Sequence, residues 1–467
     1  MKKIFTLIIF AFILFILPSC NEIKELNAPT NFKIEETIIS FDSVEQAEKY
    51  RIELYCVEDK SIIRRFVNNG DDLNNLNIQE GEYLVKIQSI NQTKNLESAF
   101  SEEVSYKQKD LYAVKLIEKE NLIDGKYVKW MGQTSYDKKE EANVIYYSAS
   151  GFEVKVKKTD EPLTLKCLLT GTNTQDKSKQ PYFVIVKDDD IDNGITICMD
   201  TASKEVNLIG EGGFSIDDNE VHTITVYKRS ESIDSHLMLK RLETSGKFID
   251  EISVKPHKMI VFAASSSTGY GNLGNSSTTK NTSNTDCLKA FAFLSSRALN
   301  SEINIVSASG WGIYASQWTS PNTICMRDRY KMVDVYSTEV WDFTKYTPDV
   351  IVTNFGTNDE SYIRIAGTEK EKQTRTENFI KYYVDFLNEL HTTYPQAKIV
   401  IIYGLMCESN IYDEHQIIFD TAKSTIPDLT MLKVQGDQAG CNSHPSVSSH
   451  KKISEELSNH IKQVMGW

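Results

Sequence analysis

The stretch that decides the fold lies at residues 258–271 and reads KMIVFAASSSTGYG. Its apolar run from Met259 to Ala263 has the length and composition of a buried strand. Small hydroxyl residues and glycines follow at once, from Ser265 to Gly271. The pattern therefore predicts a buried strand that ends in a tight polar loop.

Strand-like runs of this kind recur along the C-terminal part of the chain and alternate with helical patterns. They lie at 258–263, 303–307, 349–354 and 398–403. Within 369–391, apolar residues fall at the i, i+3, i+4, i+7 spacing of a packed helix: Phe379, Tyr382, Tyr383, Phe386, Leu387 and Leu390. Strands alternating with helices predict a three-layer α/β domain over residues 255–467, with a parallel sheet between helices.

Polar segments follow the ends of these predicted strands, where parallel sheets place their functional sites. The first is the serine-rich loop after residue 263. The others are Ser307-Ala308-Ser309-Gly310-Trp311-Gly312-Ile313, Asn354-Phe355-Gly356-Thr357-Asn358-Asp359 and, before a final helix, Gly440-Cys441-Asn442-Ser443-His444-Pro445. The sequence therefore predicts one site built from four loops.

In this order and at these strand ends, the four segments resemble the blocks of the SGNH (GDSL) hydrolases, and among them the family-2 carbohydrate esterases. The resemblance covers residues 108–467. It implies a nucleophilic Ser265 and a general base His444, with an oxyanion hole of the Ser265 and Gly310 N–H groups and the Asn358 amide. Ser266 is the alternative nucleophile if the register shifts by one, and His450 is a second histidine nearby. Trp311 is the candidate for stacking on a sugar.

The sequence departs from the family pattern at two places. Ala263-Ala264 stands where Gly-Asp normally precedes the serine. Asn442 and Cys441 occupy the positions of the acid that usually orients the histidine, and the nearest upstream carboxylate is Asp437. Some family-2 esterases work as Ser–His dyads in which a backbone carbonyl holds the ring, so the resemblance implies a dyad here.

Two strand-rich segments precede the α/β domain. Residues 21–107 show period-two alternation, as at Tyr50, Ile52, Leu54 and Cys56, and resemble a fibronectin type III β-sandwich. Residues 108–254 alternate at Phe152/Val154/Val156, Tyr182/Val184/Val186, Ile195/Ile197/Met199 and Ile224/Val226, which predicts an antiparallel sandwich or jelly roll. Met131-Gly132, the segment 150–154 and the segment 222–231, ending in Lys228-Arg229-Ser230-Glu231, resemble the jelly roll of the family-2 esterases. The chain is thus predicted to be multidomain.

The N-terminus has the features of an export signal. Lys2 and Lys3 precede an apolar run from Ile4 to Leu17, which is shorter than the roughly 20 residues of a membrane-spanning helix. The run ends in Leu17-Pro18-Ser19-Cys20, which resembles the bacterial lipobox. Residues 1–20 are therefore predicted to be a lipoprotein signal peptide, and Cys20 the lipidated residue. An exported protein, anchored to a bacterial membrane on the periplasmic or the outer surface, follows from this. In that oxidising space, Cys407 and Cys441 are the pair to test for a disulfide.

Charge and composition narrow the classes of partner. Lys and Arg total 52 against 65 Asp and Glu, a formal net charge of −13, which argues against binding to nucleic acid. No zinc-type ligand spacing is present in the sequence, and acyl transfer by serine needs no metal, so no cofactor is expected.

The candidate site residues predict acyl transfer, and the family resemblance implies a carboxylic ester hydrolase of the acetylxylan esterase type. It would remove O-acetyl groups from hemicellulose-type polysaccharide through an acetyl-enzyme on Ser265. A second hypothesis is a surface glycan-binding lipoprotein that has lost the chemistry, which Ala263-Ala264 and Asn442 favour. A third keeps the hydrolase but changes the ester to a lipid or peptidoglycan acetyl group.

Overall fold

A computed structural model of the chain describes residues 25–76, 78, 81–108, 115–117, 126–159, 162–250, 254–316, 325–406 and 411–467. The predicted signal peptide and Cys20 lie outside these residues. The chain divides into two compact units, residues 1–111 and residues 112–467. Among the helices in the described ranges, none is long and apolar enough to cross a membrane.

The first unit consists of β-strands around one core. A two-stranded antiparallel sheet pairs β1 (Lys33–Glu35) with β2 (Ile38–Ser40). A five-stranded sheet has the order β4-β3-β5-β6 with β7 beside β5; these strands are β3 (Lys49–Cys56), β4 (Ile62–Val67), β5 (Gly81–Asn91), β6 (Leu96–Glu97) and β7 (Val104–Gln108). Ile39, Ile52 and Val85 share the core between the two sheets. The all-β character agrees with the sequence pattern, while the fibronectin type III assignment stays a prediction.

The second unit begins with two antiparallel six-stranded sheets. One has the order β10-β11-β18-β13-β16 with β8 beside β18, and the other β15-β14-β17-β12-β19 with β9 beside β12. Their strands are β8 (Lys115–Ile117), β9 (Lys129–Met131), β10 (Thr134–Asp137), β11 (Ala142–Ile145), β12 (Gly151–Lys157), β13 (Leu165–Gly171), β14 (Tyr182–Lys187), β15 (Ile195–Cys198), β16 (Ser203–Ile209), β17 (Val221–Lys228), β18 (Leu237–Thr244) and β19 (Lys247–Ile249). We call this part the β-module. Phe152, Val154 and Val226 lie in the core between its sheets, as their alternation predicts.

Strand β14 departs from the predicted pattern because it is buried on both faces. Phe183 and Ile185 belong to the core of the β-module, whereas Val184 and Val186 belong to a core shared with the α/β part of the chain. A strand covered on both sides has no polar face, so its alternation does not show which residues face which neighbour. This shared core joins the β-module and the α/β part in one compact unit, residues 112–467.

The α/β part contains a five-stranded parallel sheet with the order β21-β20-β22-β23-β24. The strands are β20 (His257–Ala263), β21 (Ser301–Ser307), β22 (Val350–Asn354), β23 (Lys398–Tyr403) and β24 (Thr430–Lys433). The described helices are α1 (Phe291–Ala298), α2 (Met326–Arg329), α3 (Thr357–Arg364), α4 (Glu369–Thr393), α5 (Tyr412–Lys423) and α6 (Val447–Met465). Four of the five strands match the predicted runs.

Side chains of β20 point alternately to two cores, one on each face of the sheet. Val261 packs with Phe291 of α1 and Leu457 of α6, whereas Phe262 packs with Phe386 of α4 and Ile418 of α5. Helices therefore cover both faces of the sheet, and the predicted three-layer arrangement is present.

The strand order places a crevice between β20 and β22. From β20 the chain continues to β21 on one side of the sheet, and from β22 it continues to β23 on the other side. Loops that leave neighbouring strands in opposite directions open a crevice at the carboxyl ends of those strands. The loops after Ala263 and Asn354 border this crevice.

Candidate active site

Ser265 lies at the carboxyl end of β20, in one of the two loops that border the crevice. It is the first residue of a short 3₁₀ turn, Ser265–Thr268, and the Thr268 hydroxyl donates to the Ser265 carbonyl over 2.7 Å. The turn ends at Gly269, whose φ of 71° lies in the left-handed region. The tight turn fixes the position of the Ser265 side chain directly after the buried strand.

His444 approaches Ser265 from a loop near the C-terminus. Its Nε2 lies 2.8 Å from the Ser265 Oγ, although the two residues are 179 positions apart in the chain. The structure therefore brings together the serine and the histidine that the sequence singled out. The neighbouring Ser266 is buried, and the contact to the ring is made by Ser265.

Backbone carbonyls hold the other side of the His444 ring. Nδ1 lies 3.1 Å from the Cys441 carbonyl oxygen and 3.2 Å from that of Asn442. Since a carbonyl oxygen only accepts, Nδ1 carries the proton and Nε2 is left free to accept one from Ser265. Asn442 and Ser443 adopt φ values of 49° and 61°, the left-handed conformation that turns the chain back toward the ring.

The electrostatic environment keeps the His444 imidazole neutral. Burial lowers the pKa of His444, and the two carbonyl hydrogen bonds oppose this shift. Asp437 is engaged elsewhere, because its carboxylate accepts hydrogen bonds from the backbone N–H and the hydroxyl of Ser446, the residue that caps α6. In the part of the chain that the structure describes, His444 thus depends on carbonyls and not on a carboxylate.

His450, the second histidine considered, lies in the core rather than at the site. It is fully buried on α6, and its Nδ1 accepts a hydrogen bond from the Phe291 N–H over 3.3 Å. Burial lowers its pKa to about 3. His450 is therefore a neutral packing residue.

The two other predicted loops meet at Asn358. This residue lies in the first turn of α3, and its Nδ2 donates to the Trp311 carbonyl over 3.0 Å. An amide carries two hydrogens, so one remains for another acceptor. Gly310 directly precedes Trp311 and has a φ of 82°, which a residue with a Cβ rarely adopts.

Asp359, the next residue on α3, holds the segment that follows Trp311. Its buried carboxylate accepts hydrogen bonds from the backbone N–H groups of Ile313, Tyr314 and Ala315. Burial raises the pKa of Asp359 to about 6, and these three N–H groups oppose the shift. The first turn of α3 thus fixes residues 311–315, a role of Asp359 that no local sequence pattern indicates.

Aromatic side chains flank the two loops. Trp311 is half-buried and meets the edge of Tyr336, with ring centroids 5.7 Å apart, and 57% of Tyr336 is exposed. Tyr270 stacks on His444 at 4.1 Å, and its ring lies 5.3 Å from the Lys280 Nζ. No local pattern indicates a role for Tyr336 or Lys280, whereas Tyr270 stands between two glycines of the first block.

The structure describes only one cysteine of the predicted disulfide pair. Cys441 is a buried free thiol whose Sγ lies 3.0 Å from the Thr278 Oγ1, and Cys407 is outside the described residues. Within the described ranges, no three His, Cys, Asp or Glu side chains are grouped so that they could hold a metal ion.

Comparison with known proteins identifies relatives but no matching family model. The chain is 29% identical over 262 residues to the cellulase/esterase CelE of Acetivibrio thermocellus, covering 53% of this chain and 30% of CelE. It is 24% identical over 281 residues to the acetylxylan esterase / glucomannan deacetylase of Cellvibrio japonicus, covering 58% of this chain and 74% of that protein.

Among solved structures, a family two carbohydrate esterase from Clostridium thermocellum, determined in complex with cellohexaose, matches with a TM-score of 0.61 at 21% identity. The match covers 73% of this chain and 99% of the solved chain. The relatives by sequence are therefore named esterases, and the fold over this part of the chain is that of a family two carbohydrate esterase.

Proposed function

We propose that this protein is an exported carbohydrate esterase that removes O-acetyl groups from hemicellulose-type polysaccharide. The observation that carries the proposal is the 2.8 Å contact between the Ser265 Oγ and a His444 Nε2 that is free to accept a proton. A hydroxyl paired with a neutral imidazole is the arrangement that activates serine for acyl transfer. The acetylated sugar comes from the printed names of the relatives.

In this proposal the reaction takes two steps. His444 Nε2 takes the hydroxyl proton while the Ser265 Oγ bonds to the acetyl carbon; the bond from that carbon to the sugar oxygen then breaks, and His444 returns the proton to this oxygen. Water next attacks the acetyl-enzyme, gives its proton to His444, and releases acetate as Ser265 recovers its hydrogen. The N–H groups of Ser265 and Gly310 and the second Asn358 amide hydrogen would stabilise each tetrahedral oxyanion.

A Ser–His dyad is sufficient for this scheme. In a triad, a carboxylate fixes the tautomer of the ring and stabilises the imidazolium. Here the carbonyls of Cys441 and Asn442 fix the same tautomer. They carry only partial charges, so they stabilise the imidazolium less than a carboxylate does.

The proposal extends to the location and the substrate contact. After removal of residues 1–19, Cys20 would be the lipidated first residue and would hold the enzyme at the membrane, facing polysaccharide outside the cytoplasm. The half-buried Trp311 would stack on a sugar ring beside the scissile ester. Labelling with a radioactive fatty acid in a bacterial host, with Cys20→Ala as the control, tests the anchor.

The activity is tested by measuring acetate release from acetylated xylan and from an aryl acetate. We expect release by the parent protein and its loss in Ser265→Ala, with Ser266→Ala as the matched control that retains it. If Ser265→Ala retained acetate release and Ser266→Ala lost it, the nucleophile would be Ser266 and not Ser265. Absence of release from the parent would overturn the esterase.

A non-catalytic glycan-binding lipoprotein is the second candidate. This candidate is favoured by Ala263-Ala264 and Asn442, which stand where the SGNH hydrolases normally have Gly-Asp and the acid of the triad. Affinity electrophoresis of the parent in gels with acetylated and deacetylated xylan separates the two candidates. Retardation by the glycan without acetate release supports the binding protein.

A further inference from the structure

One buried carboxylate from the β-module touches the loops of the candidate active site. Glu231 follows β17, and its side chain is fully buried. Its Oε2 accepts two hydrogen bonds from one residue of the α/β part, from the Ser309 N–H over 3.1 Å and from the Ser309 hydroxyl over 2.5 Å. A buried charge is retained only where it is paired and hydrogen-bonded, so this contact is built into the fold.

Ser309 directly precedes Gly310, which determines what this contact controls. The carbonyl of Ser309 and the N–H of Gly310 belong to one planar peptide group. Both donors of Ser309 are bound to a single carboxylate oxygen, so the backbone of Ser309, which begins this peptide group, is held in place. Gly310, at a φ of 82°, has the conformational freedom of glycine and would otherwise be mobile around that peptide.

The environment of Glu231 connects the contact to the other half of the site. Its second oxygen, Oε1, lies 3.4 Å from the Lys280 Nζ, which also donates to Asp234 over 2.5 Å. Lys280 lies over the ring of Tyr270, and Tyr270 stacks on His444. One cluster of Glu231, Lys280 and Asp234 thus contacts the Gly310 loop through Ser309 and reaches His444 through Tyr270.

The turn that carries Glu231 is itself held from within the β-module. Lys228 is fully buried, and its Nζ donates to the carbonyls of Ser230 over 2.7 Å and of Glu231 over 3.0 Å. The carboxylate therefore projects from a fixed backbone, and a displacement of Ser309 would have to break its hydrogen bonds.

We propose that Glu231 is a positioning residue for the oxyanion hole, through which the β-module holds the Gly310 N–H in its catalytic orientation. This inference rests on the proposed esterase function. It gives the β-module a part in the chemistry, because the residue that orders the oxyanion loop comes from outside the α/β fold.

The test compares Glu231→Ala, Glu231→Gln and Ser309→Ala with the parent on an aryl acetate. We expect Glu231→Ala to lower kcat roughly 10- to 100-fold with KM changed by less than about 3-fold, because a misplaced donor affects the transition state more than binding. Glu231→Gln keeps an acceptor for Ser309 and should recover part of the loss.

Glu302→Ala is the matched control. Glu302 lies near the start of β21, whereas Ser309 follows its end, and its Oε1 pairs with Lys129 of the β-module over 2.6 Å. It therefore removes an ion pair between the same two parts of the protein, away from the oxyanion loop. We expect kcat within about 2-fold of the parent, because no catalytic donor is displaced.

The outcomes are distinct. An unchanged kcat in both Glu231→Ala and Ser309→Ala, a change confined to KM, or an equal loss in Glu302→Ala would overturn the inference. If Glu231→Ala fails to fold, Ser309→Ala decides alone, since it changes no charge and retains Glu231. A parent without acetate release fails the proposed function before any variant is compared, and the inference fails with it.

Discussion

Tyr270 and His444 stack ring on ring, with centroids 4.1 Å apart and ring planes inclined by 25°. The Tyr270 hydroxyl also accepts a hydrogen bond from the Asn442 Nδ2 over 2.9 Å. Tyr270 therefore contacts both the ring and the loop whose carbonyls hold the ring. Where a carboxylate is missing behind a histidine, a stacked ring is another way to restrict its orientation.

Replacing Tyr270 tests this restriction. Aromatic pairs contribute about 0.5–1.5 kcal/mol beyond their buried area, so Tyr270→Leu should lower kcat on an aryl acetate by up to about 10-fold. Tyr270→Phe keeps the stacked ring and loses only the hydroxyl, and it should stay within about 3-fold of the parent. Equal kcat values for the leucine and phenylalanine variants would show that stacking does not orient the base.

The pH dependence of the reaction follows from the state of His444. Only the neutral ring accepts a proton, and burial lowers its pKa below the ordinary value of about 6.5. The kcat/KM should therefore be flat above neutral pH and fall only on the acid side of 6.5. If the acid limb of the kcat/KM profile of the parent had its midpoint at or above pH 6.5, this would contradict a buried, neutral base.

Asn442→Asp adds the charge that the sequence lacks and should move this limb. A carboxylate two residues before His444 favours the imidazolium and raises its pKa, so the acid limb of kcat/KM should shift to higher pH. Ser443→Ala changes the adjacent residue without adding charge and serves as the control, with the limb of the parent. A limb that stays in place in Asn442→Asp would show that this position does not face the ring.

The sequence allowed the site to be located because parallel strands end at one edge of the sheet. Ser265 and Asn358 each follow an apolar run of strand length. Locating the site needed only the ends of these two strands, without any knowledge of side-chain contacts. The edge strand β24 was missed because all four of its residues are half-buried or exposed, so it lacks the apolar run of its neighbours. Its short length also leaves little periodicity to detect.

Other features depend on tertiary contacts that no local pattern encodes. Glu231 and Ser309 are 78 positions apart and lie in parts of the chain with different periodicity, so nothing in either segment indicates their contact. The carbonyls that hold His444 point toward it because Asn442 and Ser443 adopt positive φ, a conformation available to asparagine and imposed here by the loop. The missing acid was visible in the sequence, and the family resemblance implied a backbone carbonyl in its place, but no local pattern indicated which carbonyls would face the ring.

His450 predicts how stability depends on pH. Its pKa is lowered to about 3 in the folded protein, against about 6.5 when unfolded, so between these values the unfolded chain binds a proton that the native state does not. The free energy of unfolding should therefore fall as pH drops below 6.5, by up to about 1.4 kcal/mol per pH unit from this residue. Thermal unfolding at pH 7 and pH 5 measures the effect.

His450→Gln is the comparison for that measurement. The variant should unfold at a lower temperature at pH 7, because it loses packing and the bond from Phe291, but its further loss at pH 5 should be smaller than in the parent. A drop between pH 7 and pH 5 as large in His450→Gln as in the parent would assign the acid sensitivity to other groups.

The close approach of Gly271 to Cys441 determines how near His444 comes to Ser265. Gly271 has a φ of 56°, and its carbonyl accepts a hydrogen bond from the Cys441 N–H over 3.1 Å. A Cβ at this position would lie 2.3 Å from the Cys441 Cβ, so Gly271→Ala has to push the Cys441 loop, and with it His444, away from the serine. We expect kcat to fall by about 100-fold, the cost of a displacement of about 1 Å between reacting groups.

Gly466→Ala is the matched control, because Gly466 has a similar φ of 75° and nothing within 4 Å of an added Cβ. Both variants carry the backbone strain of about 1–2 kcal/mol, and Gly271→Ala adds the cost of displacing the Cys441 loop, but only Gly271→Ala should lose activity. A parent-like kcat in Gly271→Ala would mean that the loop can move without carrying His444 away from Ser265.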